Sequence, residues 1–348
     1  MRTTTTLLAG LALAVLTTGL AVAASGSGDS LTVYTGGMAL VRTQVDRVLE
    51  PGETTIRIDG MPASFDPTSL VVLNPEVELL GTHGLRSYQD GGSRGSSLAL
   101  DLSVAATVRG LDIAYLTGGF DWSASYNLLI DPDDRSARLS GYVHVGNQSG
   151  ADFDAAEFQL LAGQIRRAGG PAAVYDAMEM RTVARQVAAA PVPGVQNEGF
   201  AGYRLYTLAN PLSLASGESR RVRLFAQSAI EVARELRLVS DVNTYDRQVD
   251  PEPRGVAVRY RVPRDGDTEL ANTALPAGQV QVMQPDPDGR AQLLGIAGIS
   301  DSPAGQELVL HVGTAFDVVG EREQTAFTRV SRNVRTSAWR VEVRNLSL

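Results

Sequence analysis

The stretch Trp122-Ser-Ala-Ser-Tyr-Asn-Leu-Leu-Ile130 constrains the fold of this chain more tightly than any other feature. Side chains alternate along an extended backbone, so Trp122, Ala124, Tyr126, Leu128 and Ile130 share one face while Ser123, Ser125 and Asn127 share the other. The spacing predicts a strand with one face in a core. The same period of two recurs from Val256 to Val262, and again where Trp339, Val341 and Val343 alternate with Arg340, Glu342 and Arg344. A wet outer face points to antiparallel sheets, because strands covered on both sides read as unbroken apolar runs.

The punctuation between these segments agrees. Leu49-Glu-Pro-Gly-Glu53, Leu214-Ala-Ser-Gly-Glu218 and Leu275-Pro-Ala-Gly-Gln279 share one form, a Leu closing one segment and a Gly turn opening the next. Ser302-Pro-Ala-Gly-Gln306 and Pro285-Asp-Pro-Asp-Gly289 supply further turns. Many short strands with almost no helix-period segments predict an all-β fold of two to three antiparallel β-sandwich (Ig-like) domains. The expected divisions are a signal peptide over 1–24, an N-terminal β domain over 30–110, a central sandwich over 111–240 and a C-terminal sandwich over 241–348. An outer-membrane barrel is the rival architecture, but aromatics at 6% are too few for two interfacial girdles.

One segment departs from the pattern. Ala172 to Ala190 is rich in Ala, Met, Glu and Arg, lacks Gly and Pro, and stops at Pro191-Val-Pro-Gly194, which suits a helix. It lies within an expected loop or helical insertion over 166–202. The Gly/Ser stretch from Asp90 to Ser97 is expected to be a second exposed loop, at the seam after the first domain.

At the N-terminus, Arg2 precedes an apolar run from Leu7 to Leu16 and then Ala21-Val-Ala23. That order is a cleavable secretory signal, and its apolar run is shorter than the roughly 20 residues that span a bilayer. The expected location is periplasmic or extracellular, with no transmembrane span after cleavage. The chain contains neither cysteine nor lysine, so all 31 basic residues are Arg. Disulfides, thiolate chemistry, Schiff bases and a Walker-A lysine are therefore excluded, and the domains must hold by core burial. A net charge of −8 repels phosphate backbones and disfavours nucleic acid. Arg329, Arg332, Arg335, Arg340 and Arg344 fit the solvated face of strands.

No catalytic, cofactor-binding or metal residue can be assigned from these patterns. Gly91-Gly-Ser-Arg-Gly95 matches a nucleophile elbow, yet lacks the buried strand before it and the helix after it. His83, His144 and His311 stand in separate strands without zinc-site spacing. Asp131-Pro-Asp-Asp134 and Asp265-Gly-Asp-Thr-Glu269 offer oxygens suited to calcium, but neither completes a twelve-residue calcium loop, and turns favour the same residues. Asp121 beside Trp122 could seed a sugar-binding cleft, whereas the alternation assigns Trp122 to a core.

Several blocks together resemble the bacterial family known as domain of unknown function 4139, related to the C-terminal part of mucoidy-inhibitor-A-like envelope proteins. They are Leu31-Thr-Val-Tyr34 with Ala39-Leu-Val-Arg42, Gly60-Met-Pro-Ala63 with Asp66-Pro-Thr-Ser69, and Leu116-Thr-Gly-Gly119 with Trp122–Tyr126. Asn147-Gln-Ser-Gly150, Leu160-Leu-Ala-Gly163, Leu275-Pro-Ala-Gly278 and Val312 to Arg322 continue the series in order. The resemblance implies an exported β-rich protein without an assigned reaction, and it marks Asp317 and Arg322 as a structural ion pair. The expected role is a non-enzymatic binding or scaffolding module without a cofactor, its partner an envelope protein or polysaccharide. A carbohydrate-active hydrolase or lyase and a calcium-dependent adhesin are the alternatives.

Overall fold

The computed structural model describes residues 29–86, 96–163, 196–239, 252–266 and 268–346. The signal segment, the Gly91–Gly95 motif and the expected helix at 172–190 lie outside the described residues. Within them the fold is all-β, built from four sheets.

The largest sheet has eight strands: β1 (Asp29–Tyr34), β2 (Met38–Leu49), β4 (Val71–Val72), β7 (Val108–Gly118), β10 (Phe153–Ala162), β11 (Gln196–Phe200), β12 (Tyr203–Thr207) and β13 (Leu212–Leu214). Its order is β11-β12-β10-β1-β2-β7-β4, with β13 also paired to β10. A three-stranded sheet joins β3 (Gly52–Met61), β6 (Ser96–Val104) and β5 (Val77–Arg86) in that order. Five strands form the third sheet: β14 (Ser219–Glu231), β9 (Ser136–Asn147), β8 (Phe120–Ile130), β17 (Gly278–Pro285) and β18 (Ala291–Ile299). The fourth sheet runs β15 (Ala233–Arg237), β16 (Glu252–Val262), β19 (Leu308–Arg329) and β20 (Arg335–Asn345). One short helix, α1 (Glu269–Asn272), is capped by the Thr268 hydroxyl, which accepts from the Ala271 N–H.

The alternation read in the sequence is realised in β8, where Phe120, Trp122, Ala124, Tyr126, Leu128 and Ile130 are all buried. These side chains belong to an apolar core that draws on all four sheets, including Leu100 and Leu102, Ile113, Phe158, Val143, Tyr260 and Val282. Turn glycines behave as expected at Gly52 and Gly289, whose φ values of 125° and 81° fall where L side chains are strained. Gly278 has a different reason. A Cβ there would lie 2.4 Å from the Ala124 carbonyl oxygen, so glycine is what lets β17 lie against β8.

Two ladders are parallel where alternation predicts antiparallel pairing: β1 with β10, and β17 with β8. For β1 and β10 the cause is burial on both faces. The main core lies on one side, and a second apolar cluster of Tyr34, Met38, Leu40, Ala114, Leu116 and Leu161 lies on the other. For β17 the wet face persists, and pairing direction is set by the long connection that returns the chain to β8. Ladders also cross both expected domain boundaries, since β1 pairs with β10 and β8 pairs with β17.

Two further expectations are corrected. The alternation in β20 sinks neither face, and only Trp339 is partly covered. No layer lies over that strand among the described residues. The Asp317–Arg322 ion pair does not form, because five residues of extended strand separate the two by roughly 16 Å and set them on opposite faces. The Arg322 guanidinium instead stacks on the Trp339 ring, 3.5 Å from its centroid.

Candidate functional site

A broad polar surface lies on the outer face of the five-stranded sheet. Because β8 turns its apolar residues inward, Ser123, Ser125 and Asn127 face out. Register with β9 then sets His144 opposite Ser123, Tyr142 opposite Ser125 and Ser140 opposite Asn127. On one flank β14 adds Arg221 beside His144 and Arg223 beside Tyr142. On the other, β17 adds Gln279 beside Ser125 and Gln281 beside Asn127. One row therefore runs Arg223, Tyr142, Ser125, Gln279 across four strands.

The arrangement is partly preorganised. The Arg221 guanidinium carbon sits 3.8 Å from the Tyr142 ring centroid, a cation–π contact that fixes its plane while leaving its N–H groups free to donate. Ser125 Oγ and His144 Nε2 are 3.1 Å apart. Among the described residues no carboxylate forms an ion pair with Arg138, Arg221 or Arg223; of the acids on this face, Asp121 sits at one corner opposite Gly146 and Glu231 at the other opposite Ser136, next along from Arg138. Arg220, one residue away and on the opposite side of its strand, is by contrast bound to Glu218 at 2.6 Å. Unneutralised guanidinium groups beside hydroxyls and amides suit an anionic, hydroxylated ligand laid flat on the sheet. The Ser125–His144 pair lacks the third group that orients a base for nucleophilic attack, since no carboxylate reaches His144 among the described residues.

The other candidates resolve into structural roles. Trp122 is buried in the core, with its indole N–H unpartnered. His83 lies in the three-stranded sheet, 2.6 Å from Asp101 Oδ2, and His311 is exposed on β19, so the three histidines occupy three different sheets. The Thr55 hydroxyl, with His83 behind it, holds the Asp101 carboxyl below its ordinary value of 3.8. No group of three metal-ligating side chains comes together among the described residues.

The acidic turn at Asp131–Asp134 has its oxygens occupied. Asp131 accepts from the Ser136 hydroxyl at 2.6 Å, and Asp133 from the Arg135 N–H at 3.2 Å. Asp134 Oδ1 accepts from Tyr260 Oη and Gln284 Nε2, both at 2.9 Å, and its other oxygen meets Arg234 at 3.3 Å. That carboxylate bolts β17 of one sheet to β15 and β16 of another. In the second acidic turn Thr268 caps α1, and Asp267 lies outside the described residues.

Arg264 is the largest fully buried side chain. Its guanidinium donates to the carbonyls of Leu270, Pro303, Gln306 and Thr273, so four of its five N–H groups are spent within the fold. Burial pushes the neighbouring phenols of Tyr126 and Tyr206 up, and each donates to a backbone carbonyl, Pro276 and Ala274 respectively.

Comparison with protein-family models and with curated proteins finds no match. Function is therefore read from the residues themselves. Of the polar face, Ser123, Ser125 and Asn127 were legible in the sequence as one strand's wet side. Tyr142, Arg221, Arg223, Gln279 and Gln281 were not. The alternation Gln279-Val-Gln-Val282 is visible, but nothing local says that it lies beside β8.

Proposed function

We propose that this chain is an exported, non-enzymatic binding module of the cell envelope that takes an acidic polysaccharide on the outer face of its five-stranded sheet. The observation that carries this reading is the set of unneutralised arginines, Arg138, Arg221 and Arg223, on the polar face of a protein whose net charge is −8. A local cationic face on an acidic body selects anionic ligands by long-range attraction, and its hydroxyl and amide row supplies short-range hydrogen bonds. The N-terminal signal pattern and the resemblance to the mucoidy-inhibitor-related family support the envelope location.

Native gels cast with polygalacturonate or with neutral dextran test the reading. Polygalacturonate retards the protein, dextran does not, and added salt weakens the retardation because the charges are exposed. The double substitution Arg221→Ala, Arg223→Ala abolishes retardation while leaving the melting temperature nearly unchanged, since both side chains are on the surface. Equal mobility in both gels, or retardation that survives the double substitution, overturns it.

A further inference from the structure

Strand β20 ends the four-stranded sheet, and its far edge carries no strand partner among the described residues. Natural proteins guard such edges with charged side chains, proline or a bulge. The run Arg335-Thr-Ser-Ala-Trp-Arg-Val-Glu-Val-Arg-Asn345 has no Pro or Gly, its charges at Arg340, Glu342 and Arg344 are of both signs and share one face, and eleven residues make a long template. Val341 and Val343 are 57% and 55% exposed on the same side of the strand as Trp339.

The backbone orientation follows from the ladder to β19, in which Val343 faces Gly320 and Val341 faces Arg322. At its end the Leu346 N–H donates to the Asp317 carbonyl, so even-numbered residues direct their backbone groups at β19. The N–H and C=O groups of Trp339, Val341 and Val343 therefore point outward, away from the sheet.

We infer that β20 pairs antiparallel with β20 of a second copy, across a two-fold axis at Val341. In that register Val341 meets Val341 of the second copy, and Trp339 meets its Val343. On the opposite face Arg340 meets Glu342 of the second copy, twice by symmetry. The outward backbone groups close about six hydrogen bonds. Within one copy Glu342 lies directly across from Glu321, a like-charge pair eased among the described residues by Arg344 at 3.6 Å and 3.0 Å, while Arg340 meets Glu323 at 3.3 Å on an exposed surface that leaves its other N–H groups for a second carboxylate. The second copy brings Arg340 to the open side of Glu342 and relieves it. Sliding the register by two residues sets Arg340 against Arg340 in one direction and Glu342 against Glu342 in the other. Odd shifts place apolar side chains against the charged face. A slide of four sets Glu342 against Arg344 in one direction but carries Trp339 and Arg340 past the end of the strand, and in the other direction forms no charge pair. The register centred on Val341 is the one that joins opposite charges with full overlap of Trp339, Val341 and Val343, and the contact is isologous and closed rather than fibrous.

Sedimentation equilibrium of the full chain across a concentration series reads this directly. The expected result is a reversible monomer–dimer equilibrium. Glu342→Arg sets Arg against Arg340 and weakens association about tenfold or more, and Arg340→Glu does so by setting Glu against Glu342. The double exchange Arg340→Glu, Glu342→Arg restores the dimer, and an equimolar mixture of the two single variants forms a heterodimer. Circular dichroism confirms that each variant is folded. A chain that stays monomeric throughout the series, or a dimer indifferent to the single substitutions or not restored by the exchange, overturns the inference.

Discussion

Strands β8 and β20 have the same length, eleven residues, and the same alternation of apolar with polar side chains. In β8 every second residue is buried. In β20 almost nothing is. The difference lies in what surrounds each strand. β8 has β9 on one edge, β17 on the other and a core layer beneath it, whereas among the described strands β20 pairs with β19 alone. Alternation declares that a strand has two unlike faces; whether the apolar one is covered depends on partners distant in sequence.

The sharpest break in that comparison is truncation on the buried side. Leu128→Ala removes a fully buried side chain and lowers unfolding free energy by about 2–5 kcal/mol, read from chemical denaturation midpoints. A loss below ~1 kcal/mol would mean that this face of β8 is not core. Next comes the bolt between the sheets bearing the two strands. Asp134 has φ of 58°, which glycine adopts freely, so Asp134→Gly isolates the loss of the carboxylate. It leaves the Tyr260 hydroxyl without its acceptor, leaves the Gln284 amide with the Asp131 carbonyl alone, removes the Arg234 ion pair, and costs about 1–3 kcal/mol.

A third test uses pH, because the sheet carrying β20 is laced with exposed ion pairs. The Arg259 hydrogen bond, with Arg261 adding to it, holds the Glu235 carboxyl below its ordinary value of 4.5. A depressed folded-state value gives stabilisation that is complete above about 4.5 and is lost as pH falls through the folded value. The melting temperature should decline below that point, and Glu235→Gln should shallow the decline. Smallest of all is Val341→Ala on β20. In dilute solution, where the chain is monomeric, it shifts stability by no more than ~0.5 kcal/mol. A core-sized loss there would show that β20 is covered after all.

How much was legible beforehand divides along the same line. The all-β class, the strand at Trp122–Ile130 and the glycine turns are local features, written in side-chain period and backbone freedom. The parallel placement of β17 against β8 is not, because it depends on a close backbone approach at Gly278 that reads like one more turn glycine. The polar face of the five-stranded sheet suffers from the same gap. Its arginines come from β14 and its glutamines from β17, and only the sheet order brings them beside Tyr142 and Ser125. Arg264, which no pattern in the sequence singles out, is a buried clamp across four carbonyls.

The distance along the chain between partners has a kinetic meaning. Tyr126 on β8 donates to the carbonyl of Pro276, 150 residues later, and Ser30 on β1 donates to Glu157, 127 residues later. Neither strand can be flanked on both edges until those distant segments have been synthesised, and closing such spans costs chain entropy before any contact rewards it. The central strand of the five-stranded sheet is therefore completed late: its β9 edge closes within a hairpin, but its other edge stays open until β17 at Gly278–Pro285 has been made.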